Sequence, residues 1–206
     1  MPINRKFLFN EIREKLFPSG LQQHQVDGID AILNEWESKS AAKDDRWLAY
    51  MLATAYHESA RTMQPVRETL ANTNDQAIAR LDNAWNKGKL SWVSKPYWRK
   101  DANGDAWFGR GLVQITHKAN YTKLATATGH KGLATDPDEA LKMDVALDIM
   151  FAGMEQGLFA GKKLSDYFNG AVEDWVNARR IINGLDRADD VASYGRSFYA
   201  AISYTT

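Results

Sequence analysis

Residues 47–70 read WLAYMLATAYHESARTMQPVRETL, and the fold turns on where this stretch stops being helix. The run from Trp47 to Tyr56 is apolar nearly all round, the pattern of a central helix covered by its neighbours. Glu58 falls at its end and Glu68 follows, with Pro65 between them. An unbroken helix would hold their α-carbons ~15 Å apart and point the side chains to different sides. Pro65 has no N–H to donate, and its ring clashes with the carbonyl of Arg61. A helix carrying Glu58 therefore ends by about Gln64, and the chain can turn Glu68 back toward Glu58.

Outward from this core the periodicity is mostly helical. Phe7, Leu8, Ile12 and Leu16 predict a first helix over 4–17, broken by FPSG. Val26, Ile29, Ile32, Leu33 and Trp36 predict a second, followed by a polar surface loop at 37–45. Residues 71–110 change character: ANTNDQ, NKGK, SKP and DANGD interrupt short pieces that carry Trp85, Trp92, Tyr97, Trp98 and Trp107. This predicts a loop-rich lobe inserted within one domain spanning 1–206. Over 135–157, Asp136 as cap, Pro137 at the first position, Asp138 and Glu139 in the first turn and Gly157 beyond the end predict one helix. Two more are expected, one through Val172, Trp175, Val176 and Ile182, the other from about Asp189 through Ile202. The fold class is mainly α.

Composition narrows the function. Lys plus Arg and Asp plus Glu are both 26, for a net charge of zero, so no global field draws nucleic acid or an anionic membrane. The absence of cysteine removes disulfides, thiolate metal sites and a cysteine nucleophile, and fits a reducing cytoplasm. MPINRKFLFNEIREKLF mixes charge into its apolar stretch and reads as an amphipathic helix rather than a signal peptide, and no apolar run is long enough for a transmembrane segment.

Glu58 follows a long apolar run, so partial desolvation of its carboxyl disfavours the charged form and suits it to proton donation. The plainer alternative is a helix-end glutamate paired with Arg61. Glu68 has Arg67 and Arg61 as possible partners in what is otherwise an ordinary turn. Downstream, GRGLVQITHKANY (109–121) reads as an extended segment with Gln114 and Thr116 on one face and Val113 and Ile115 on the other. Two motifs fail. HESAR lacks the second zinc-ligand position of H-E-x-x-H, and DANGDAWFGRGL lacks the turn glycine and final carboxylate of a calcium loop, so an Asn-Gly turn is expected there and no metal site. The aromatic cluster suits either a core or a glycan-binding cleft.

Together, YHES with a second Glu, GRGLVQITHKANY, and ARRIINGLDRADD with YGRSFYAAI resemble glycoside hydrolase family 19, the chitinase and phage-endolysin family, over roughly residues 45–204. The resemblance implies a lysozyme-like α+β fold. It implies Glu58 as general acid, Glu68 as general base and Thr116 as the hydroxyl that holds the attacking water, with His57, Gln114, Asn120 and Asn183 along the substrate cleft. The short spacing between the glutamates is that of the bacterial and phage members. An arginine usually follows the Asn-Gly motif, and Arg187 and Arg196 are both imperfect matches to it.

Three readings follow. The leading one is an endolysin that hydrolyses the β-1,4 bond of peptidoglycan, made in the host cytoplasm and released to the wall through a pore. It acts as a monomer, needs no cofactor or metal, and works by inversion between two carboxylates. A chitinase of the same family is the second. A catalytically silent glycan-binding protein is the third, disfavoured because Glu58, Glu68 and Thr116 are all present.

Overall fold

The computed structural model describes residues 2–40 and 42–205; Ala41, within the expected surface loop, lies outside them. The chain is mainly helical and divides into two compact units, Met1–Gln64 with Met150–Thr206, and Pro65–Ile149. No helix among the described residues is long and apolar enough to cross a membrane.

The first unit is built on α3 (Asp45–Glu58), whose residues Leu48 to Tyr56 are all buried. It starts at Asp44, whose side chain accepts from the Arg46 N–H. Helices α7 (Ala188–Ala201) and α2 (Gln23–Lys39) pack against it, and α1 (Arg5–Leu16), capped by Asn4 and burying Leu8, Ile12 and Leu16, packs on α7. The chain ends are tied together, the Asn4 N–H donating to the Ser203 carbonyl at 2.7 Å.

The second unit joins β1 (Val66–Arg67) to β2 (Arg110–Gly111) in an antiparallel pair, with Arg67 opposite Arg110. Its α4 (Asn74–Asn86) starts at the Thr73 cap and packs Ala77 and Leu81 against Trp98, Ala106 and Phe108. Beyond α4 the 71–110 stretch is loop-rich as expected, with no helix or strand among the described residues 87–109. Most of its aromatics are core: Trp98 and Trp107 are buried, whereas Trp92 is 77% exposed. Next comes α5 (Lys118–Thr128).

Two helix expectations need correction. Over 136–157 the Asp136 cap and Pro137 are in place, but they open only a 3₁₀ turn, Pro137–Leu141. Lys142 is extended (φ −75°, ψ 134°) and α6 starts afresh at Met143, running to Gln156 across the boundary of the units. The turn carries Asp138 onto Arg67 and Arg110, and that ion-pair geometry overrides helical continuity. The stretch through Val172 and Ile182 is a hairpin, β3 (Phe168–Asn169) with β4 (Val172–Glu173), followed by a 3₁₀ turn, Asn177–Ile181. Phe168 and Trp175 pack 4.7 Å apart, centroid to centroid, and both lie against Tyr50.

Candidate active site

In the second unit, Glu68 follows β1 and is gripped at both oxygens. The Tyr97 hydroxyl donates to Oε1 at 2.8 Å and the Gly109 N–H to Oε2 at 2.7 Å. Burial, followed by the charge of Glu68, pushes the Tyr97 phenol up, so it stays a proton donor. Neither Arg67 nor Arg61 pairs with Glu68. Arg67 instead binds Asp138 at 2.7 Å, and Asp138 also receives the fully buried Arg110 at 2.7 Å. Asn74 accepts from both arginines, so a closed charge network backs the β1–β2 pair that positions Glu68.

A Cβ at Gly109 would meet Gln114 Oε1 at 2.8 Å and Glu68 Oε2 at 3.3 Å, so a larger residue there would press on both side chains. The expected extended run through Gln114 and Thr116 is a tight turn: Arg110 bridges Ile115, and Gln114 has φ 52°. The alternation in burial survives, with Val113 and Ile115 buried and Gln114 and Thr116 half-buried. The Gln114 amide donates to the Val66 and Gly111 carbonyls, and the Asn120 amide donates to the Thr116 carbonyl at 2.8 Å. The Thr116 hydroxyl has no protein hydrogen-bond partner among the described residues.

In the first unit, Glu58 ends α3 and its Oε1 accepts from Arg179 Nη1 at 2.6 Å, with the two side chains 14% and 4% exposed. The partner is therefore a buried arginine 121 positions away rather than Arg61. Arg179 is fixed a second time, its Nε donating to the Asp186 carbonyl at 3.0 Å. The Asn183 N–H donates to the Arg179 carbonyl, and its exposed side chain folds onto Gly184. Burial pulls the His57 imidazole below its ordinary value, against the opposing charge of Glu58. Arg187 shares a cavity with His57, and Arg196 lies exposed on α7.

Backbone strain marks the same segments. Among the described residues, the non-glycine positions with positive φ are Ala60, Arg61, Met63, Thr69, Leu70, Gln114, His117 and Arg187. Each lies within five residues of Glu58, Glu68, Thr116 or Asn183. Left-handed backbone costs a residue with a Cβ about 1–2 kcal/mol, and such strain gathers where function requires a geometry. Sequence reasoning missed Arg179 and Tyr97. Arg179 sits in RRIING with nothing local to separate it from Arg180, and Tyr97 is one aromatic among five in its lobe.

No family model, curated protein or solved structure matches the chain.

Proposed function

We propose that the protein is an inverting glycoside hydrolase that cuts the β-1,4 bond of peptidoglycan as an N-acetylmuramidase. The observation that carries this reading is that both glutamates are gripped at defined oxygens, Glu58 by a buried arginine and Glu68 by a tyrosine and a backbone N–H. Glu58, through the Oε2 that Arg179 leaves unbonded, gives its proton to the leaving glycosidic oxygen as the bond to the anomeric carbon breaks. Arg179 then faces the negative charge left on Glu58. A water held by the Thr116 hydroxyl attacks the opposite face of the ring, and Glu68 takes its proton. The scheme needs the carboxyls ~6.5–9.5 Å apart to leave room for that water. As an endolysin, the protein is made in the host cytoplasm and meets the wall after pore-mediated release, acting as a monomer in a lysozyme-like fold.

The test digests purified Gram-negative sacculi with the wild type, Glu58→Gln and Glu68→Gln. The wild type is expected to release muropeptides with reducing N-acetylmuramic acid, and each variant to lose roughly 10²–10⁴-fold in rate while keeping its circular dichroism. On a soluble oligosaccharide, early proton NMR should show the α anomer first. A folded, active Glu58→Gln protein would overturn the assignment. Anhydro products, or chito-oligosaccharides with intact sacculi, would move it to a lytic transglycosylase or a chitinase.

A further inference from the structure

A cavity of about 190 Å³ lies at the end of α3, lined by Tyr56, His57, Ala60, Arg61, Arg187 and Tyr194. Its chemistry is one-sided: two guanidinium groups and an imidazole line it, and no carboxylate does. Tyr56 and Tyr194 meet edge to face, 4.8 Å between centroids, and the Arg61 guanidinium lies 5.6 Å from the Tyr56 ring centre. That cation–π contact restrains the guanidinium without neutralising it, and Arg61 forms no ion pair among the described residues. Arg187 pairs with Asp190 at 2.8 Å, but those side chains are 64% and 42% exposed, so the pair is weak and yields readily to another anion.

Both cavity arginines sit in left-handed backbone, Arg61 at φ 71° and Arg187 at φ 56°. Residues with a Cβ avoid that conformation. Neither arginine takes part in the hydrolytic scheme above. An unneutralised guanidinium on an aromatic shelf, with a second guanidinium lining the same space, supplies the donor groups that a carboxylate accepts from. His57, which precedes Glu58 at the end of α3, is one of the residues that line the cavity.

We propose that this cavity is an accessory subsite for a free carboxylate of the peptide stem carried by peptidoglycan. The proposal rests on the glycan-hydrolase reading and sharpens its substrate: stem-bearing strands supply the anion, and a neutral polymer such as chitin does not. Binding is measured by calorimetry with an N-acetylmuramyl tripeptide, which has no glycosidic bond to cut, and with its carboxamide derivative. The wild type is expected to bind the acid form at least tenfold more tightly than the amide. Arg61→Gln and Arg187→Gln should each remove most of that difference, with unchanged circular dichroism because both side chains are exposed. Equal affinity for the two forms, undetectable binding of the acid form, or full acid preference in both variants would overturn the subsite. Wild-type digestion of sacculi is scored separately. Uncut sacculi with the acid preference intact would overturn the hydrolase reading and leave the anion site standing, and cut sacculi without the preference would do the reverse.

Discussion

Tyr97 owes its place in the site to one hydrogen bond. Its ring packs edge-on to Trp98 at 5.1 Å and against His117 at 4.9 Å, so the hydroxyl reaches Glu68 from a fixed platform. Removing that hydroxyl leaves the ring seated and deprives Oε1 of its donor, a loss of about 1 kcal/mol. Tyr97→Phe is therefore expected to lower kcat roughly fivefold to tenfold with little change in KM, against the far larger loss in Glu68→Gln. Steady-state kinetics on a soluble glycan reads this out, and an unchanged kcat would remove Tyr97 from the site. At the same scale, the position of Glu58 at the end of the central helix was legible from the apolar run before it, but its partner was not. Arg61 is close in sequence, yet its left-handed backbone carries it onto Tyr56, while Arg179 arrives from a distant turn.

Among the elements, α2 shows why a glycine sits in mid-helix. A Cβ at Gly28 would lie 1.8 Å from the Met63 carbonyl oxygen, so the helix is shaved to admit the strained loop that follows Glu58. Gly28→Ala sets a propensity gain of about 1 kcal/mol against a backbone clash that no side-chain rotation relieves. The clash wins: a net loss of roughly 1–3 kcal/mol in urea unfolding is expected, together with reduced activity as the Arg61–Met63 segment shifts. A neutral or stabilised variant would mean that this loop moves freely. The hairpin β3–β4 is the element whose signal was available and passed over. FNGAVEDW contains Asn169-Gly170, a strong short-range turn signal, with Gly170 at φ 47°, but the apolar spacing from Val172 to Ile182 imitates a helix. At 136–157 the cap residues were right and the element was not, because caps report where a turn begins and say nothing of how far it runs.

For the whole molecule, the ionisable groups set a two-step dependence of stability on pH. Burial holds folded His57 below its ordinary 6.5, so between those values the unfolded chain binds more protons and stability falls with acidification. Arg5 holds Glu37, and Arg46 holds Asp44, below the ordinary 4.5 and 3.8; at Asp138, burial opposes the shift but Arg67 and Arg110 prevail. Their contribution is complete above those ordinary values and is lost as pH falls through the lower folded ones. Melting temperature is expected to be level from pH 7 up to the ordinary tyrosine range near 10, to dip below 6.5 and to fall steeply below 4.5, each 1 kcal/mol appearing as about 2–4 °C. His57→Gln should flatten the first step and leave the second; a first step unchanged in that variant would assign it to other groups. The helical class and the central helix with Glu58 at its end could be read from the sequence by itself, because periodicity acts over a few residues. Only the tertiary structure decided which charge meets which: Arg179 on Glu58, Tyr97 on Glu68, Asp138 between Arg67 and Arg110. Such pairs join residues 28 to 121 positions apart, and a local pattern carries no information about groups that only the folded chain brings within hydrogen-bond reach.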